Sequence, residues 1–299
     1  MTSLRVVALG VLFVAITAAC YSTSEVAMLR QQLLDRIAES GAETVGLYYR
    51  NLETGDSVLI DADARLHAAS TMKVPVMIQL YRDQEAGLLD LEDSVTITAT
   101  FRSIVDGTSY ELGAPDDSDT LLYQRVGEQE TVRVLMEAMI TVSSNLATNI
   151  LIELVGAERT QATMRELGAD SIAVLRGVED IKAYEAGLSN TTTAGDLGTI
   201  LTAIAKGRAA SDASCREMLE VLARQEFNDG IPAGVPPGTR VAHKTGWITG
   251  ITHDAAVVYP DGADPYVLIV LTRGIDDHAE ANRLVADLSR IVYEAVVSD

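Results

Sequence analysis

Residues 241–273, VAHKTGWITGITHDAAVVYPDGADPYVLIVLTR, carry the strongest β-strand pattern in the chain. They hold three runs rich in β-branched residues, at 241–248, 254–259 and 266–272, and the turn PDGADP at 260–265 joins the last two. Runs of this length bounded by Gly, Pro and Asp predict strands, and so short a turn joins antiparallel neighbours. The stretch therefore predicts three antiparallel strands near the C-terminus.

The N-terminal part of the chain supplies two more strands. Residues 44–63, TVGLYYRNLETGDSVLIDAD, contain two alternating runs around a turn at 53–56, which predicts a β-hairpin. Amphipathic helices are predicted before this hairpin, at 24–41, and after the last strand, at 278–297. Strands from both ends of the chain predict one five-stranded antiparallel sheet flanked by the N- and C-terminal helices.

Between the two sets of strands the chain has almost no β pattern. Apolar residues recur there at helical spacing, in segments 71–85, 131–141, 145–154, 159–167, 193–206 and 212–225. The sequence therefore predicts an α/β (α+β) fold, with a sheet lobe made of 24–69 and 208–299 and an inserted all-α lobe at 70–207. We expect a substrate cleft where the two lobes meet.

The charge of the chain restricts its partners. The formal net charge is −20 and the pI is near 4.5, so a phosphate backbone or an anionic membrane surface would repel most of the molecule. This argues against nucleic acid as a partner. The acidic run at 116–119 is most simply a solvated loop, with weak calcium binding as the alternative. We expect a monomer.

The first 19 residues differ from the rest. Arg5 precedes the apolar run VVALGVLFVAITAA, which is shorter than the ~20 apolar residues of a membrane span and ends in small residues. This predicts a signal peptide at 1–19, export to the periplasm or the extracellular space, and no membrane insertion after its removal. Cys20 stands where bacterial lipoproteins carry their lipid-modified Cys, but Thr17 replaces the large aliphatic residue preferred there. A lipid anchor at Cys20 and an unmodified Cys are both open.

The segment AASTMKVP, residues 68–75, places a Lys one turn into an apolar helix. The i, i+3 spacing puts Ser70 and Lys73 on one face, within hydrogen-bonding reach of each other. The positive end of the helix dipole favours an alkoxide over an ammonium, and therefore a nucleophilic Ser70 and a basic Lys73. Taken alone, the spacing fits equally a capping Ser and a Lys with a buried stem.

Two further motifs follow in order along the chain. Ser-Ser-Asn at 143–145 stands between two predicted helices, and Lys-Thr-Gly at 244–246 stands on a predicted strand. Together with Ser-x-x-Lys, they resemble the signature of class A β-lactamases and related penicillin-recognising serine hydrolases. The resemblance spans nearly the whole mature chain. It implies a β-lactamase/transpeptidase-like fold, a β-lactam or D-alanyl peptide as substrate, and neither a cofactor nor a metal.

The resemblance also implies roles for the motif residues in acyl transfer. Ser70 would be the acylated nucleophile, Lys73 the base that takes its proton, and Ser143 the relay that passes a proton to the leaving nitrogen. The backbone N–H groups of Ser70 and Trp247, which follows Gly246, would form the oxyanion hole.

Other residues of the same motifs would hold the substrate. Asn145 would bind its side-chain amide, Lys244 would supply positive potential, and Thr245 would bind its carboxylate. His253 falls where many class A enzymes carry an Arg that clamps this carboxylate, and a His is a weaker, pH-dependent cation. Arg273, at the end of the adjacent strand, could supply the missing charge. His253 could equally be a packing residue.

Release of the acyl group requires a base in the segment RGVEDIKAYEAGLSNTTTAGDL, residues 176–197. In the family, a Glu within a Glu-x-x-Leu-Asn motif activates the hydrolytic water. Glu185 fits this pattern, with Ser189 in place of the Asn, and is the predicted base; Glu179 is the alternative. The loop is shorter than in the family, and a misplaced water would slow release.

Three functions are compatible with these motifs. The first is a secreted β-lactamase that confers β-lactam resistance. The second is a D,D-peptidase or penicillin-binding serine hydrolase with slow deacylation, which the altered loop would explain. The third is a non-catalytic β-lactam or peptidoglycan receptor. The intact motifs argue against the third function, because a binding protein has no need to keep them all, and the sequence favours the three in that order.

Overall fold

The computed structural model describes residues 23–298, so the predicted signal peptide and Cys20 lie outside the described residues. The helices are α1 (Thr23–Ala38), α2 (Lys73–Glu85), α3 (Val132–Thr141), α4 (Asn145–Val155), α5 (Ala157–Glu166), α6 (Ile181–Glu185), α7 (Ala194–Ala205), α8 (Asp212–Leu222) and α9 (His278–Val297). The strands are β1 (Thr44–Asn51), β2 (Ser57–Ile60), β3 (Leu66–His67), β4 (Ser94–Thr96), β5 (Thr100–Arg102), β6 (Ser109–Glu111), β7 (Gln129–Thr131), β8 (Thr191–Thr192), β9 (Arg240–Ile248), β10 (Ile251–Tyr259) and β11 (Tyr266–Arg273).

The main sheet has five antiparallel strands in the order β2-β1-β11-β10-β9, so both ends of the chain build it. This confirms the predicted fold class. In the β9–β10 pair, Gly246 lies opposite His253. A two-residue turn ending at Gly250, whose φ is 70°, joins these strands, and Gly adopts this left-handed conformation without strain. Because the turn is so short, β10 begins at Ile251 and not at the predicted residue 254.

Helices cover both faces of this sheet. On one face, α1 and α9 pack with Leu33, Leu284 and Leu288 in the core. On the other face, α7 approaches β1 so closely that a Cβ on Gly198 would lie 2.4 Å from the Tyr48 ring. Burial on both faces explains why β11 is almost continuously apolar, since neither face of this central strand contacts water.

The helix α2 is the centre of the helical region. Most of it is buried, and α3, α4, α5 and α8 pack around it. The predicted all-α lobe also contains short strands, because β4 pairs with β7 and β5 pairs with β6. Each has three residues, too few for an alternating pattern to be recognised. The lobe boundaries at 70 and 207 stay a prediction. No helix within residues 23–298 is both long and apolar enough to cross a membrane.

Candidate active site

Ser70 lies where the sheet meets the helical region. A 3₁₀ turn, Ala69–Met72, carries Ser70 and continues directly into α2. Ala69 has a φ of 45°, a strained value for a residue with a Cβ. The strand β9 runs so close to this turn that a Cβ on Gly246 would lie 2.8 Å from Ser70 N. Gly246 therefore allows β9 to approach the backbone of the serine.

The Lys73 side chain is completely buried beside Ser143. Its Nζ donates to Ser143 O at 2.7 Å, to Ser143 Oγ at 3.0 Å and to Asn145 Oδ1 at 2.9 Å. Burial lowers the pKa of Lys73 to about 7, although the carboxylates of Asp117 and Glu179 act in the opposite direction. With this pKa, much of Lys73 is neutral near neutral pH and able to accept a proton.

Ser143 connects two buried lysines. Lys244 Nζ donates to Ser143 Oγ at 3.1 Å and to Thr245 O at 2.9 Å, and Lys73 Nζ contacts the same hydroxyl. Burial, and then the charge of Lys73, lower the pKa of Lys244, while Asp254 acts in the opposite direction. Two amines that share one hydroxyl can supply it with a proton and take one from it. The arrangement is therefore suited to proton relay.

These groups open onto two adjoining cavities. One, of about 600 Å³, is lined by Ser70, Ser143, Asn145, Glu179, Thr245, Gly246 and Trp247 among others. The other, of about 340 Å³, shares Ser70, Asn145, Glu179 and Trp247 with it and extends along α6. The structure thus brings the residues of all three sequence motifs to one cleft, with the two lysines buried next to Ser143.

Glu185, the base predicted from the sequence, is not in this cleft. It ends α6, is exposed to solvent and lines neither cavity. The helix instead presents Ile181 and Tyr184 to the smaller cavity. Because successive residues of a helix point about 100° apart, the side chain that follows Tyr184 is directed elsewhere. The local match to the family motif therefore did not identify a residue near Ser70.

Glu179, the alternative, lines both cavities together with Ser70. Its φ is 62°, so its backbone is strained like that of Ala69. Partial burial, and then the carboxylate of Asp116, raise the pKa of Glu179, while Arg176 acts in the opposite direction. The position and the electrostatic environment of Glu179 are those of a group that can exchange protons within the cleft.

The loop that carries Glu179 is anchored by two asparagines that the sequence analysis missed. Asn149 Oδ1 accepts a hydrogen bond from Val178 N at 2.6 Å, and Asn149 Nδ2 donates to Val178 O at 3.0 Å. Asn190 Nδ2 donates to Arg176 O at 2.8 Å. Both asparagines are buried. The sequence indicated only one of them: Asn149 lies four residues after Asn145 of the second motif, and this spacing puts both on the same face of a helix.

Neither of the two residues considered as a clamp for the substrate carboxylate, His253 and Arg273, lines these two cavities, although His253 lies opposite Gly246 in the β9–β10 pair. His253 is buried, accepts at Nδ1 from Thr272 N at 3.2 Å and donates from Nε2 to His67 O at 2.9 Å. Burial lowers the pKa of His253 to about 4, so it is uncharged at neutral pH. Arg273 is exposed and donates to Thr44 Oγ1 at 3.0 Å. A carboxylate clamp at either position is therefore not supported, and the packing alternative describes His253.

The acidic run at 116–119 is more than a solvated loop. Asp117 is only 8% exposed, and its carboxylate accepts hydrogen bonds from Asn145 N and Leu146 N at the start of α4. Over residues 23–298, no group of three or more His, Cys, Asp and Glu side chains is placed to hold a metal ion. The run thus contributes a helix-capping carboxylate next to the second sequence motif.

Comparison with known proteins gives consistent results. A family model described as the beta-lactamase enzyme family matches residues 28–296. The chain is 30% identical to β-lactamase AST-1 of Nocardia asteroides over 86% of this chain and 80% of that protein. Among solved structures it is similar to PBP-A, with 30% identity, a TM-score of 0.77, and coverage of 90% of this chain and 95% of PBP-A. The L158E mutant of PBP-A, solved as an acyl-enzyme complex with penicillin G, has the same identity and TM-score, over 90% and 96% of the two chains.

Proposed function

Since the chain belongs to the beta-lactamase enzyme family and is a class A β-lactamase-like hydrolase, we propose that it hydrolyses β-lactams through an acyl-enzyme on Ser70. The observation that carries the proposal is the hydrogen-bonded series Lys73, Ser143, Lys244 in the cleft that contains Ser70. A nucleophilic hydroxyl, a base of suitable pKa and a proton relay in one site are what acyl transfer requires.

Acylation would begin with neutral Lys73, which takes the proton of Ser70 Oγ as this oxygen attacks the β-lactam carbonyl carbon. The negative charge that develops on the carbonyl oxygen would be stabilised by the N–H groups of Ser70 and Trp247. The C–N bond then breaks, and Ser143 Oγ gives its proton to the leaving nitrogen. Ser143 recovers a proton from Lys73, which the hydrogen bond of 3.0 Å between them supports.

Substrate binding would use the polar groups that line the larger cavity. Thr245 would bind the substrate carboxylate, the adjacent buried Lys244 would supply positive potential, and no arginine is needed in this scheme. Asn145 Oδ1 is held by Lys73, but Asn145 Nδ2 makes only a weak contact of 3.5 Å with Asp116 O. A carbonyl oxygen of the substrate could replace that contact.

Deacylation would use Glu179 as the general base. Its carboxylate would take a proton from a water molecule whose oxygen attacks the acyl carbon. As the bond between that carbon and Ser70 Oγ breaks, Glu179 would return this proton to Ser70 Oγ by way of neutral Lys73, so that each group regains its starting protonation state. The position of Glu179 on both cavities beside Ser70 supports this assignment over Glu185. Because the pKa of Glu179 is raised, its carboxylate becomes protonated at a higher pH than that of an ordinary Glu. On acidification, deacylation would therefore slow at a higher pH than with an ordinary Glu as the base.

The cellular role follows from the predicted signal peptide. We propose that residues 1–19 direct export to the periplasm or the extracellular space, with or without a lipid anchor at Cys20. There a monomeric enzyme would destroy β-lactams before they act, and so confer resistance.

A second candidate is a penicillin-binding D,D-peptidase that deacylates slowly. The similarity to PBP-A favours it, and so does the loop geometry, because Asn149 holds the backbone of Val178 and not that of Glu179. Glu179 follows the anchored residue Val178, so its carboxylate would position the hydrolytic water less firmly than a base on an anchored residue would.

Intact mass spectrometry after mixing with penicillin separates these functions. We expect the wild type to turn over and to show no lasting adduct, whereas Glu179→Gln accumulates a covalent adduct on Ser70. Glu185→Gln is the matched control and should behave as the wild type. A lasting adduct in the wild type would favour the D,D-peptidase, and the absence of both turnover and an adduct in every variant would leave only the receptor function.

A further inference from the structure

The carboxylate of Asp117 is built into the N-terminus of α4. Asp117 Oδ1 and Oδ2 accept from Asn145 N at 3.0 Å and 2.9 Å, and Oδ2 accepts from Leu146 N at 2.8 Å. Tyr123 Oη donates to Oδ2 at 3.0 Å, and Asp119 N donates to Oδ1 at 3.1 Å. An anion at a helix N-terminus satisfies free N–H groups and is stabilised by the helix dipole.

The neighbours of Asp117 hold the turn that precedes the helix. Ser118 Oγ donates to Val142 O at 2.6 Å and lies 3.3 Å from Ser143 O. Ser143 has a φ of 58°, and such a backbone persists only where the surroundings hold it. The segment 116–118 therefore contacts the backbone of both residues, Ser143 and Asn145, whose side chains surround Lys73 Nζ.

We propose that Asp117 is a positioning residue for acylation, whose carboxylate fixes the start of α4 and thereby aligns Ser143 and Asn145 with Lys73. This inference rests on the function proposed above. The charge of Asp117 has a second effect, because it favours the protonated form of Lys73. The other ionisable groups that act on Lys73 are Glu179, from the 176–197 segment, and Lys244, from β9.

The second motif explains why a separate carboxylate is needed. The class A signature has an Asp between the Ser and the Asn. Here Ser144 occupies that position, is buried, and caps α4 by accepting from Ala147 N at 3.2 Å. Asp117 supplies, from another segment, the negative charge that the motif itself lacks. If so, an Asp at position 144 should replace the carboxylate of Asp117, since Asp is as good an N-cap as Ser.

The test measures single-turnover acylation of Ser70 by penicillin G over a range of pH, for the wild type, Asp117→Asn, Ser144→Asp and the double variant. Asp119→Asn is the control, because Asp119 lies in the same loop but its carboxylate accepts from Leu122 N at 3.3 Å and not from the start of α4. We expect Asp117→Asn to acylate about 10- to 100-fold more slowly. We also expect the acid limb of its rate profile to shift to lower pH, because loss of the negative charge lowers the pKa of Lys73. A purely structural role would not shift this limb in that direction.

The double variant Asp117→Asn/Ser144→Asp should acylate at least about tenfold faster than Asp117→Asn. Ser144→Asp alone should acylate more slowly than the wild type, because its carboxylate and that of Asp117 would repel each other. Unchanged acylation in Asp117→Asn, an unshifted acid limb, or no recovery in the double variant would overturn the inference. If Asp117→Asn does not fold, the double variant decides in the same way. Absence of acylation in the wild type would instead contradict the proposed function.

Discussion

Gly246→Ala tests the close contact between β9 and the turn that carries Ser70. The added Cβ would lie 2.8 Å from Ser70 N, 3.0 Å from Thr71 N and 3.2 Å from Ala69 Cβ. Ordinary van der Waals contact begins at 3.4 Å, so strand and turn must separate by about 0.6 Å at the nearest point. None of these atoms is the end of a flexible side chain, and therefore no rotamer change can relieve the clash.

The separation should weaken the proposed oxyanion hole, because it displaces one N–H donor relative to the other. Complete loss of one such donor costs about 10²–10³ in rate, and a misplacement of about 1 Å costs about 10². A displacement of about 0.6 Å therefore predicts acylation that is about 10- to 100-fold slower. Overpacking at a buried backbone contact should also lower the free energy of unfolding by about 1–3 kcal/mol.

Stopped-flow acylation with a chromogenic cephalosporin and thermal unfolding measure the two effects. Gly113→Ala is the control, because its added Cβ would lie 3.5 Å from Pro115 Cδ and its φ is −112°, which suits Ala. It should match the wild type in both measurements. If Gly246→Ala lowered the unfolding temperature but acylated at the wild-type rate, this contact would not be what positions the oxyanion hole.

Gly177→Ala should lengthen the lifetime of the acyl-enzyme in time-resolved intact mass spectra, because the added Cβ would lie 2.3 Å from Asn149 Oδ1 and disturb the anchored loop. Acylation should rise with pH through about 7, the pKa of Lys73, since only the neutral amine accepts a proton; a flat pH profile would contradict this. The free energy of unfolding should fall by about 3 kcal/mol between pH 6.5 and about 4, because His253 takes up a proton at a higher pH in the unfolded state than in the folded state. In urea titrations, His253→Asn should make the free energy of unfolding depend less on pH over this range. Arg273→Ala should leave kcat/KM unchanged, because its guanidinium lies outside the cleft; a tenfold loss would show otherwise.

Much of the fold could be predicted because its signals are local. The meander at 241–273 combines β-branched runs with turn residues, and the start of α9 at His278 agrees with the prediction. Errors arose where the signal was short. The two-residue turn before Ile251 and the three-residue strands in the helical region contain too few residues for a pattern.

The site was predictable only in part. Ser70 and Lys73 are three residues apart where a 3₁₀ turn continues into α2, and Lys73 N donates to Ser70 O, so the proximity of their backbones follows from spacing alone. The choice between Glu185 and Glu179 does not follow from spacing. It depends on which face of α6 turns toward Ser70 and on the hydrogen bonds that Val178 N donates to Asn149 Oδ1 and that Asn149 Nδ2 donates to Val178 O, between residues 29 positions apart in the chain.

The order of the long helices, the five strands of the main sheet and the three motifs could all be predicted from the sequence, because they depend on spacing over a few residues. Three properties became visible only in the folded chain: Glu179 lines the cleft, Asp117 binds the N-terminus of α4, and His253 is buried and neutral. The physical reason is that these properties come from contacts between distant segments and from the exclusion of water. Neither is encoded in any short stretch of the chain.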